Sequence, residues 1–227
     1  MTVTLTPPTS TAPPTDLNAT KPRLRGWLHA LATPLFLACG IVFLVLADGA
    51  AAKAAMAVYL ATNLLLFGNS AVYHIGPWPA SVIAVLRRLD HANIFLFIAG
   101  TYTPLAVLLL TGRSRVILLC LIWSCAVAGC TFAVFWLSAP RWLSVTLYIV
   151  MGWVAVGWLP IFWFTGSPAI VWLVLAGGLA YSLGALIYAR KWPNPSPRWF
   201  GFHEIFHTCT ILAAACHLTA IALALFQ

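Results

Sequence analysis

The chain has 227 residues, 62% hydrophobic and only 7% charged, whereas a soluble domain carries about a quarter charged residues. Too few charges are present to keep a body of this size wet, so most of its surface must face lipid. The net charge of +8 comes from short basic clusters between apolar runs, not from a stripe able to follow a phosphate backbone, which argues against nucleic acid as a partner and for membrane lipids.

Residues 1–20 are rich in Thr and Pro and read as a disordered tail. The first apolar run starts only after Leu24, which is not the pattern of a cleaved signal peptide. Residues 21–227 form one membrane domain. Crossing the hydrocarbon takes about 20 apolar residues, and the lack of water there forces such runs to be helical. Seven runs are expected, at roughly 27–47, 54–75, 87–110, 115–137, 142–164, 168–190 and 200–226.

The breaks between them have physical causes. Asp48 and Gly49 end the first run, and Gly76, Pro77 and Pro79 the second, because proline lacks an amide donor and disfavours helix before it. Gly112 with Arg113, then Ala139-Pro140-Arg141, then Gly166-Ser167-Pro168, then Pro193, Pro195 and Pro197 supply the rest. Pro34, Pro104 and Pro160 lie in or near spans and are expected to kink them. The six cysteines all sit in apolar runs without a CxxC pair and read as small buried hydrophobes, with no disulfide framework.

Placing the N-terminus in the cytoplasm puts Lys21, Arg23, Arg25, Arg87, Arg88, Arg141, Arg190, Lys191 and Arg198 on that side, against Lys53, Arg113 and Arg115 opposite. That bias follows the positive-inside rule. The expected fold is all-α, a seven-transmembrane-helix bundle with a cytoplasmic N-terminus and the C-terminus outside.

Ionisable residues inside spans are costly and mark function. Here they are His74, Asp90, His91, His203, Glu204, His207 and His217, with Ser70 one turn before His74. His74 ends the second span, Asp90 begins the third, and His203 and His207 open the seventh, so all four are expected at one depth near the cytoplasmic face. His203 and His207 are spaced i, i+4 and share a helix face. With His74 they form a three-histidine zinc site that leaves a fourth position open. Asp90 is placed to orient or deprotonate a water, and Ser70 to donate to a developing oxyanion. His217, about 15 Å farther along the same helix, cannot share that metal and is expected to make an interhelical hydrogen bond. His91 reads as packing, and His29 as an interfacial residue.

Residues 203–207 also match HExxH, the two-ligand and glutamate-base pattern of metalloproteases. An intramembrane protease would need a third ligand downstream. The candidate, His217, lies on the same helix, with no glycine or proline between to turn it back. Glu204 is then an assistant to the chemistry, or an offset to Arg198 and to the helix dipole.

Three segments together resemble one family: Asn69-Ser70-Ala71-Val72-Tyr73-His74; Arg88-Leu89-Asp90-His91-Ala92-Asn93-Ile94 followed by Ala99-Gly100-Thr101-Tyr102-Thr103-Pro104; and His203-Glu204-Ile205-Phe206-His207 with His217 beyond. They resemble the hemolysin III branch of the progestin and adipoQ receptors. The resemblance implies a seven-helix bundle with zinc on His74, His203 and His207 and with Asp90 on a metal-bound water. It implies hydrolysis of ceramide-like lipid amides, as in adiponectin receptors and alkaline ceramidases. The short tail resembles bacterial members, which places the chain in a bacterial inner membrane. The expected function is a zinc-dependent hydrolase of a lipid amide or ester, with Asp90, Ser70 and Glu204 as candidate catalytic residues. The alternatives are a hemolysin III-type pore-former and a membrane-state sensor or receptor with structural zinc.

Overall fold

The structure, a computed structural model, describes residues 22–227. The tail expected to be disordered, residues 1–20, lies outside the described residues. Among the described residues the regular elements are α1 Trp27–Leu46, α2 Gly49–Ile75, α3 Ala80–Leu109, α4 Gly112–Phe135, α5 Arg141–Gly152, α6 Leu159–Thr165, α7 Pro168–Arg190 and α8 Phe202–Leu225. A 3-10 turn, Trp153–Trp158, joins α5 and α6 into one crossing. Seven crossings are long and apolar enough to span a bilayer, and the protein is an integral, multi-pass membrane protein.

Two helices begin earlier than the hydropathy runs indicate. α3 starts at Ala80, seven residues before the expected 87, with Pro79 as its N-cap. A proline there costs nothing, because the first amides of a helix have no intrahelical acceptor anyway. α2 starts at Gly49 and takes in Lys53, whose ammonium reaches back to the Val45 carbonyl at 3.0 Å near the end of α1. A charge at a helix end is thus satisfied without leaving the helix.

The burial pattern is that of helices immersed in lipid. On α1 the buried residues are His29, Ala32, Phe36 and Gly40, a single stripe at three- and four-residue spacing. Leu31, Leu35 and Val45 face outward. α4 repeats the pattern with Leu118, Ile122, Ala126, Gly129 and Ala133. From Ala92 onward α3 is buried on most sides and forms the centre, packed by α2, α4 and α8, while α1 closes against α2 and α8.

Lipid is as apolar as leucine, so helix association depends on close packing and interhelical hydrogen bonds. Asparagines supply two of these between the antiparallel α2 and α3. Asn69 donates to the Leu86 carbonyl at 3.3 Å and Asn93 to the Leu65 carbonyl at 2.7 Å. These bonds set the register that decides where Ser70 and Asp90 meet.

Candidate metal centre

His74 lies in the last turn of α2, and His203 and His207 in the first two turns of α8. Side chains lean toward a helix's N-terminus. α2 runs toward this end of the bundle, so His74 leans back into it. α8 runs away, so its histidines lean toward the end, and the three rings converge. The Nε2 atoms of His74 and His203 are 3.2 Å apart. Ring centroids are separated by 4.8 Å for His74 and His203, 5.3 Å for His74 and His207, and 4.6 Å for His203 and His207. One ligand atom from each lies within 4.8 Å of the others.

The donor set fits a zinc ion. Two nitrogens on a tetrahedral zinc, each about 2.0–2.1 Å from it, stand about 3.4 Å apart, close to the His74–His203 spacing. His207 is 2% exposed, and its Nδ1 has no hydrogen-bond partner. Three imidazoles without a carboxylate suit zinc and not calcium or magnesium, which take oxygen ligands.

The segment before α1 assembles this end. Arg23 and Leu24 donate backbone bonds to the Arg198 and Trp199 carbonyls at 3.1 and 3.3 Å. Arg25 Nε pairs with Glu204 Oε1 at 2.7 Å, and Gly201 N–H donates to Glu204 Oε2 at 2.8 Å. Glu204 is fully buried and does not line the cavity described below. Both of its oxygens are engaged, and its partner is Arg25, not the expected Arg198. Within the HExxH match, the two histidines thus join His74 while the glutamate between them ties α8 to the start of α1. Gly26 caps α1 with φ +86°, and a Cβ there would come within 2.8 Å of the His74 Cβ. Only glycine allows both the left-handed turn and that approach.

His29 is not interfacial, which corrects the expectation. It is 3% exposed, and its ring stacks on His207 with centroids 3.8 Å apart and planes at 15°. Both of its ring nitrogens are buried without a hydrogen-bond partner. Near-parallel rings cannot share one ion, because each nitrogen lone pair lies in its own ring plane. His29 is therefore a platform that fixes the His207 ring and not a fourth ligand. The signal for it in the sequence was the buried stripe it shares with Ala32, Phe36 and Gly40.

The histidines lie on the wall of a cavity of about 790 Å³. Ser70 and Asp90 line it too and are side-chain neighbours. Asp90 falls outside the group of ligand atoms that lie within 4.8 Å of one another. Because α3 begins at Ala80, Asp90 is well inside the helix and level with Ser70, not at the helix start. Asp90 thus meets Ser70, which lies one turn before His74 on α2. His91 also lines the cavity, and its carbonyl accepts from the Tyr148 hydroxyl at 3.4 Å. His217 lies deeper, with Nε2 3.2 Å from the Val174 carbonyl of α7, the interhelical bond expected of it.

Comparison with known proteins agrees with this architecture. Residues 17–218 match the family described as Haemolysin-III related. The chain is 34% identical over 154 residues to Hemolysin-3 of Bacillus cereus, covering 67% of this chain and 70% of that protein. It is 34% identical over 119 residues to the Hemolysin-3 homolog of Bacillus subtilis, covering 52% and 56%. It is 24% identical over 217 residues to progestin and adipoQ receptor-like protein 1 of Caenorhabditis elegans, covering 86% of this chain but half of the worm protein.

Proposed function

This chain belongs to the haemolysin-III-related family, and from that premise we propose that it is a zinc-dependent hydrolase of a lipid amide or ester, working inside the membrane. The observation that carries the reading is the meeting of three imidazoles from α2 and α8 on the wall of a large cavity. A purely structural cross-link would need no such space. The cavity volume lies within the range of small-molecule sites, roughly 300–1,000 Å³, and its walls are mostly apolar. The proposal includes the side of the membrane: the excess of Lys and Arg at the histidine end faces it to the cytoplasm of a bacterial inner membrane.

His74, His203 and His207 would hold the ion. When bound, zinc polarises a carbonyl and brings the pKa of water to about 7. Asp90 takes the proton of the attacking water on a carboxylate oxygen and delivers it to the leaving nitrogen or oxygen. Ser70, beside it, donates its hydroxyl hydrogen to the carbonyl oxygen as negative charge builds there. Arg25 and Glu204 do not touch the reacting atoms; they hold the first turn of α8 in place. The apolar walls receive the acyl chain and keep bulk water out, which strengthens each of these interactions.

The test is metal analysis together with fatty-acid release from lipid amides by purified protein. His207→Ala is expected to lose both zinc and turnover, and Asp90→Asn to keep zinc while losing turnover. Zinc loss with undiminished turnover would sink the mechanism. The name of the bacterial relatives, hemolysin, favours a second reading as a pore-former. Liposome currents equal for wild type and His207→Ala would support it over the hydrolase. Loss of thermal stability on chelation, with no turnover in any lipid, would point to a sensor with structural zinc.

A further inference from the structure

The cavity continues past the histidine cluster to a second group of polar side chains that the reaction above does not use. His217 on α8 and Tyr181 on α7 both line it, with ring centroids 5.7 Å apart. His217 Nε2 stands 3.2 Å from the Val174 carbonyl. A carbonyl can only accept, so Nε2 carries the hydrogen. Among the described residues no acid pairs with this ring, and in the neutral imidazole the other nitrogen, Nδ1, is a bare acceptor. That Nδ1 is buried without a partner, and so is the Tyr181 hydroxyl. Two unpartnered polar atoms on neighbouring rings in the hydrocarbon are costly unless something else satisfies them.

The arrangement is held in place. A Cβ on Gly177 would collide with the His217 imidazole, so the glycine is what lets the ring lie against α7 and reach Val174. The tautomer is thereby set by the backbone and not by a ligand.

We propose that this deep end of the cavity is a hydroxyl-binding subsite, and that the lipid it takes carries a hydroxyl partway along its acyl chain. A hydroxyl answers both groups, donating to His217 Nδ1 and accepting from Tyr181, and with the amide or ester of the lipid held at the histidine cluster it is the simplest group that a chain brings this deep. A carboxylate would turn only lone pairs toward Nδ1, an ammonium would offer Tyr181 no acceptor, and a plain methylene chain would leave both atoms unpaired. The position along the chain follows from α8. His207 and His217 are ten residues apart, about 15 Å of helix, which an extended chain spans with roughly a dozen carbons. The proposal rests on the lipid reading of the cavity and adds the chemical class of the chain.

The test uses full-length, zinc-loaded protein in one detergent. It measures the affinity of octadecanoic acid and of its 12-hydroxy and 2-hydroxy derivatives by displacement of a fluorescent fatty acid. The mid-chain hydroxy acid is expected to bind about thirtyfold more tightly than the other two, the worth of two net hydrogen bonds. Tyr181→Phe removes only an unpartnered hydroxyl and should fold normally, yet it should cut that preference to about fivefold. Gly177→Ala, which displaces His217, should cut it as well. Equal binding of all three acids to wild type, or a preference undiminished in Tyr181→Phe, overturns the subsite and leaves an ordered water as its occupant. If none of the acids binds, the lipid reading itself fails along with the subsite.

Discussion

The histidine end and the fifth crossing both place backbone and polar groups inside apolar surroundings, and they do so by opposite means. At the histidine end three segments are tied together repeatedly. Arg23 and Leu24 bond the backbone before α8, Arg25 pairs with Glu204, His29 stacks on His207, and Gly26 lets α1 approach His74. In the fifth crossing the helix is broken at Trp153–Trp158, just before Pro160, which has no amide to give. One side chain repairs most of the break. Ala155 N–H donates to the Tyr102 hydroxyl at 2.7 Å, and that hydroxyl donates to the Gly152 carbonyl at 2.7 Å. Trp153 and Trp158 add bonds to Ser182 and Ser114, each at 2.9 Å. The difference teaches where rigidity is concentrated. The end that holds the candidate ligands is over-determined, whereas the segment that walls the cavity hangs on a few bonds and leaves space beside it.

Substitutions at three positions would break or sharpen this contrast. The largest expected effect is that of Glu204→Ala, which strands Arg25 beside a buried site and unties α1 from α8. It should cost about 3 kcal/mol of stability, read by unfolding in detergent, and should release the metal with it. Next comes Tyr102→Phe, which leaves a backbone N–H and a carbonyl unpaired in the membrane, at about 2 kcal/mol. It should destabilise the fifth crossing but leave zinc content at the wild-type level. Zinc lost as fully as in Glu204→Ala would show that the two regions are not independent. The two changes should also add within about 0.5 kcal/mol in the double variant. The smallest effect on folding belongs to His29. His29→Ala removes the platform under His207 and should weaken zinc binding about tenfold, the scale of lost support around a ligand. His29→Phe keeps an aromatic surface there and should stay near the wild-type affinity. Equal loss in both would mean that a ring nitrogen of His29, and not its face, matters to the metal.

Much of the architecture was legible in the sequence, because in lipid a run of apolar residues has essentially one structure available to it. The seven crossings fall where hydropathy placed them, and the i, i+4 spacing of His203 and His207 needed only a helix to become a shared face. Helix ends were less legible. Pro79 read as part of a break and Lys53 fell just outside the second run, yet proline is harmless at a helix start and a lysine can reach back to a carbonyl. Extending α3 by two turns moved Asp90 from its expected position at the helix start to a level with Ser70.

What the sequence determined by itself was the kind of protein and the identity of the costly residues. Apolar length dictates the crossings, and any ionisable side chain left within them must be answered by a partner. Which partner answers was decided only by tertiary structure. Arg25, not Arg198, meets Glu204, and His29 leaves the interface to lie on His207. The Tyr102 hydroxyl closes a break about 50 residues away in the chain. These pairings come from helices far apart in sequence, and no local pattern encodes the distance across a bundle.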